Sequence, residues 1–309
     1  MVPHSPRSGR TAFQLLLAVS ALALAACSSP TEGAGRFVPI SPAAGDAARG
    51  IAALVGDARF AASGKIQHVV VIVQENRSFD DLFQGYPGAD TQAYGYAKDG
   101  RKIDLKPASL ATAWDIGHDS QNYYLACDGT GKLPGTRCKM DGFNQEYLSC
   151  GAPHTPQPCP HRNPQYGYVP HDEAKPYFDI AHDYVLADRM FPSNFDGSSF
   201  ISHQYIIAGQ AGASIDYPDN VWGCDGGPTD KIGTITRLRA PGPRIRVCYG
   251  NRTLGDELDE AHLTWRYYAS RLDRDGDIWS AYQAIKHIRY GPDWKHHVIS
   301  PQTRFFNDL

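Results

Sequence analysis

Three stretches of the chain gather residue types able to do chemistry. The first, Glu75-Asn76-Arg77-Ser78-Phe79-Asp80, sets a carboxylate beside an amide. Both offer hard oxygens of the kind a divalent cation prefers, although an isolated pair of this type after a strand also caps helices. The second runs from Phe195 to Gly209 and carries Ser198 and Ser199 just ahead of an apolar pattern. Phe200, Ile201, Tyr205, Ile206 and Ala208 fall at helical spacing, which predicts a helix over 198–208. A hydroxyl at such an N-terminus lies where backbone N–H groups and the helix dipole favour an incoming anion. It can equally serve as a plain cap. The third stretch is Asp115-Ile116-Gly117-His118-Asp119. Its imidazole titrates near neutrality and can donate a proton or bind an anion, or it is a structural loop histidine.

These residues need a frame to hold them. Ile66–Val73 is a β-branched apolar run and reads as a strand buried on both faces, as in a central parallel sheet. In open α/β sheets functional groups gather beyond the carboxyl ends of strands, which is where Glu75 follows. Residues 84–172 are rich in Gly, Pro, Tyr, Asn and Asp and read as a long, disulfide-stapled insertion. Helices are predicted over Glu173–Asp183 (despite Pro176), Leu254–Ala261 and Ile278–His287. Strands are predicted over Tyr184–Ala187 and Thr264–Tyr268. Alternation of this kind argues for a layered α/β fold.

The six residues Glu75–Asp80, directly after an apolar strand, resemble the opening motif of the bacterial phosphoesterase family that contains phospholipases C and acid phosphatases. The resemblance implies an alkaline-phosphatase-like doubly wound sheet with helices on both faces. It also implies a divalent metal ion held by Glu75 and Asn76, and a nucleophilic hydroxyl at Ser199 that touches the same ion. His118 falls in a stretch similar to the family's Asp-x-x-His segment, and Lys139-Met-Asp-Gly-Phe143 resembles a second family segment, with Cys138 where Gly is usual. Ser198 replaces a usual Pro, and Ser202-His203 stand where the phospholipase branch has Asn-Arg. The implied substrate is a phosphate ester or phospholipid, with the branch left open.

The amino terminus reads as targeting. Arg7 and Arg10 precede an apolar stretch, Ala12–Ala26, that is short for a membrane span. It ends in Leu24-Ala25-Ala26-Cys27, which resembles a bacterial lipobox with Cys27 acylated. An ordinary secretory signal is the alternative. Residues 1–26 are thus expected to be a signal peptide, 27–63 an Ala/Gly/Pro/Ser tether, and 64–309 the phosphoesterase domain. The protein is expected to be exported and anchored to the bacterial cell envelope through lipid.

Seven cysteines less Cys27 leave Cys127, Cys138, Cys150, Cys159, Cys224 and Cys248. An even set in an exported chain favours disulfides, and neighbour pairing is the simplest of several connectivities. No C-x-x-C occurs to suggest zinc. The 309 residues carry 30 Lys+Arg against 33 Asp+Glu, a net charge of -3 that gives no reason to expect a nucleic-acid partner. Asp273-Arg-Asp-Gly-Asp277 departs from a calcium loop in the position of its Gly and reads as a surface turn.

The family's metal site is completed by an acidic pair and a Gly-Gly-x-x-Asp-His stretch toward the carboxyl end. No Gly-Gly-x-x-Asp-His stretch occurs here, so the resemblance implies a fold whose C-terminal part is missing. Two functions are therefore carried forward. One is a metal-dependent hydrolase of phosphate esters with a serine nucleophile; the other is a non-catalytic envelope lipoprotein, a degenerate or truncated relative.

Overall fold

The computed structural model describes residues 66–111, 114–150, 158–220, 223–272 and 280–309. Cys27, the apolar leader and the 27–63 tether lie outside these residues, as does the Asp273–Asp277 turn. Among the described residues no helix is long and apolar enough to cross a membrane.

The frame is mixed α/β, built from short elements. Helix α1 (Phe79–Leu82) follows the first motif, with Ser78 as its cap accepting from the Asp81 nitrogen. A small hairpin, β1 (Tyr94–Tyr96) and β2 (Lys102–Asp104), pairs Gly95 with Ile103. Strand β3 (Lys106–Pro107) runs parallel to β4 (Gly167–Tyr168). Between them lies α2 (Ser120–Cys127), capped by Asp119, which receives the Asn122 nitrogen. Helix α3 (His171–Asp183) carries Pro176 inside it.

Helix α4 (Ser199–Ala208) runs through the core and closes at Gly209, whose left-handed φ of 62° suits a helix end. Strands β5 (Ser214–Ile215), β6 (Lys231–Thr234) and β7 (Ile245–Arg246) form an antiparallel sheet. Helix α5 (Leu254–Glu260) follows, opened by a Thr253/Asp256 capping box. Next come β8 (Tyr267–Tyr268), α6 (Lys286–Arg289), α7 (Pro292–His296), β9 (Val298–Ile299) and α8 (Phe305–Asp308), with β8 and β9 parallel. The core centres on α4: Phe200, Ile201 and Ile207 pack with Ile232, Val247, Tyr282, Ile285 and Ile288.

Several expectations need correction. Ile66–Val73 is not a buried strand: Val71 is 76% and Ile72 82% exposed, and no described strand pairs with it. β-Branched residues favour extended backbone, but a strand needs a neighbour to take its N–H and C=O groups. Tyr184–Ala187 is irregular for the same reason, with Val185 92% exposed. Among the described residues the strands form four sheets of two or three strands. The predicted 278–287 helix is a 3-10 turn (Ala281–Ala284) followed by α6, and the predicted 264–268 strand shrinks to β8.

The six cysteines stand in neighbour pairing as Cys127–Cys138, Cys150–Cys159 and Cys224–Cys248. The first two lie within the 84–172 stretch and cross-link it.

Candidate active site

Helix α4 presents its first turn to the loop that follows Ile66–Val73. Ser198 occupies the cap position, yet its side chain makes no capping bond. Its hydroxyl and its nitrogen both donate to Asp196 Oδ1. Asp196 is buried and also accepts from the Asp216 nitrogen, at 2.5 Å. Burial raises its pKa, the bonds it accepts oppose that rise, and the three donors tie the 194–198 loop to Asp216. Gly197 is needed here, because a Cβ would lie 2.6 Å from the His118 carbonyl oxygen.

With Ser198 turned to Asp196, Ser199 is left as the first helical residue with its hydroxyl directed elsewhere. Its Oγ donates to Glu75 Oε2 at 3.1 Å. The other oxygen of the same carboxylate, Oε1, meets His203 Nε2 at 3.1 Å. Ser199 and His203 are one helical turn apart and so share a face. Glu75 therefore bridges two side chains of α4 across a tertiary contact.

Asn76 turns its amide nitrogen to Asp115 Oδ1 at 3.5 Å. Arg77 serves the scaffold: it donates to the Asn76 and Leu110 carbonyls, both at 2.9 Å, and pairs with Asp81 at 3.4 Å. Burial pushes Asp81 up to about 6 against the pull of that guanidinium. A cleft of about 320 Å³ opens beside Asn76, lined also by Asp80, Trp114, Asp115 and His118.

His118 joins the same cluster through an intermediary. Its Nδ1 lies 2.8 Å from the Ile116 carbonyl, which can only accept, so Nδ1 carries the proton. Nε2 then accepts from the Tyr217 hydroxyl at 3.0 Å. The Tyr217 oxygen in turn accepts from the Ser199 nitrogen at 3.4 Å. Burial raises the Tyr217 pKa, which keeps this hydroxyl a donor at neutral pH.

The structure thus gathers Glu75, Asn76, Ser199 and His118 on one side of the molecule. Three further participants escaped sequence reasoning. Tyr217 sits in no motif. Asp196 lies inside the second stretch, where no role was assigned to it. His203 stood out only as a departure from the phospholipase pattern, although its i+4 spacing from Ser199 is a legible signal.

The donor set suits a divalent cation in kind but not in number. Glu75, Asn76 and Ser199 are three oxygen-bearing side chains, only one of them a carboxylate, and both Glu75 oxygens are engaged. Among the described residues no group of three or more His, Cys, Asp or Glu side chains converges to hold a metal. These side chains alone do not make up a divalent-cation site.

The model of the Phosphoesterase family matches residues 66–306, most of the chain. The chain belongs to the phosphoesterase family. No curated protein and no solved structure matches it. Family membership points to hydrolysis of phosphate esters, and the mixed α/β frame is compatible with it.

Proposed function

We propose that this family member hydrolyses phosphate mono- or diesters by attack of the Ser199 hydroxyl on phosphorus. The observation that carries the reading is the 3.1 Å contact from Ser199 Oγ to Glu75 Oε2 at the start of α4. Glu75 accepts the serine proton as the new P–O bond forms and the ester P–O bond breaks. The amino end of α4 offers backbone N–H groups and a positive dipole end to the phosphoryl oxygens. The departing oxygen takes a proton from solvent, His118 holds the Tyr217 hydroxyl in place beside the Ser199 nitrogen, and water then releases phosphate from the serine.

A divalent ion, when bound, would rest on Glu75, Asn76 and Ser199 and polarise a phosphoryl oxygen. Its remaining ligands would come from outside the described residues. In the same reading the frame is alkaline-phosphatase-like. The protein would be exported and held at the cell envelope by a lipid on Cys27. Phospholipase-like and acid-phosphatase-like substrates both remain within it.

The single carboxylate beside Ser199 favours a second reading, a non-catalytic envelope lipoprotein. A chromogenic phosphate monoester and a choline-type diester, each assayed with and without chelator, separate the two. Release that disappears in Ser199→Ala supports the hydrolase. No release from either ester under any condition supports the non-catalytic relative.

A further inference from the structure

We infer that His203 is a positioning residue for Glu75, the third member of a Ser199–Glu75–His203 line. The inference rests on the proposed role of Ser199. Its geometric basis is independent of any cation.

A glutamate side chain has three rotatable torsions, and a single hydrogen bond leaves its carboxylate free to turn away. Here each oxygen has its own partner on one rigid helix. Ser199 holds Oε2 and His203 holds Oε1, both at 3.1 Å. The imidazole side chain is 10% exposed and that of Glu75 is 27%, so water competes weakly for the bond. His203 Nε2–H is the donor, because an ionised carboxylate can only accept. With Oε1 fixed, Oε2 faces the serine hydroxyl and the proton path from Ser199 is set before substrate arrives.

The arrangement departs from the usual hydrolytic order of serine, histidine and acid. The carboxylate touches the nucleophile, and the imidazole orients the carboxylate. Ligand-holding bonds of this indirect type contribute about 10- to 100-fold to activity in other sites.

The test compares His203→Gln and His203→Leu with the full wild-type chain. Gln places an amide N–H near the position of Nε2; Leu fills similar space without a donor. We expect Leu to lower kcat by about 10- to 100-fold with KM little changed, and Gln to restore a large part of the loss. A Leu variant as active as wild type overturns the inference. So does equal impairment of Gln and Leu, which would mean that packing alone matters.

A second readout needs no turnover. In long-range 1H–15N spectra of labelled wild-type chain, the His203 Nε2 resonance, assigned by its loss in His203→Gln, should shift in Glu75→Gln while the other histidine signals stay. An unmoved resonance overturns the pairing. If the wild type shows no turnover but the resonance moves, the pairing stands and the hydrolase reading is what fails.

Discussion

Ser199 and Glu75 are 124 positions apart in the chain, yet the hydroxyl of one donates to a carboxylate oxygen of the other at 3.1 Å. A contact at that separation exists because the buried helix α4 fixes one end and the Arg77 bonds fix the loop carrying the other. If it serves catalysis, Ser199→Ala lowers phosphoester turnover by about 10³-fold or more while thermal unfolding shifts little. Steady-state kinetics beside a melting curve check both halves of that statement.

Tyr217 supports a more graded outcome. Tyr217→Phe keeps the ring but removes the hydroxyl between His118 Nε2 and the Ser199 nitrogen. Turnover should fall by about 10-fold, with the fold intact, because one oriented hydrogen bond contributes about 1 to 2 kcal/mol. Unchanged kinetics in this variant would mean that His118 needs no such orientation.

Stability should decline as pH rises from about 4 to about 7. Burial lifts Glu146 from 4.5 to about 7 and Asp81 from 3.8 to about 6. Between the unfolded and folded values the folded chain holds the extra proton, so stability falls as pH climbs, and the whole cost is present above the folded value. Glu146→Gln should therefore stabilise the protein at pH 8 by about 1 to 2 kcal/mol and do little at pH 4. Denaturant unfolding of both chains at the two pH values reads this directly.

The disulfides should contribute unequally. Cys224–Cys248 closes a separation of 24 residues, whereas Cys150–Cys159 closes 9. Loop-closure entropy then gives the first about 3.5 kcal/mol and the second somewhat less. Pairwise Cys→Ala replacement, followed by denaturant titration, should rank them in that order.

Much of the local structure was legible in the sequence, for reasons the coordinates now make plain. The apolar spacing from Phe200 to Ala208 predicted α4, although burial follows it only in part: Phe200 and Ile201 are buried, while Ile206 is 43% exposed. Pro176 did not stop α3, since it costs one backbone bond in a helix held by packing of Phe178 against Phe83 and Tyr86. Ile66–Val73 misled, because composition reports a preference for extended backbone and says nothing of whether a partner strand is present. Within the site, Glu75 and Ser199 were readable from motif and helix position. Tyr217 was not, since its role arises only when the 214–217 segment folds back over the start of α4. His297 stacks on Trp265 with ring centroids 4.5 Å apart and belongs to the scaffold.

The account stands or falls on where phosphate becomes attached. An activated phosphate ester, mixed with the protein and quenched in acid during turnover, should leave one phosphoryl group on the peptide containing Ser199, readable by mass spectrometry. Ser199→Ala should carry none, and Glu75→Gln should accumulate it more slowly. Turnover that proceeds with the phosphoryl group on another residue, or undiminished in Ser199→Ala, would contradict the account.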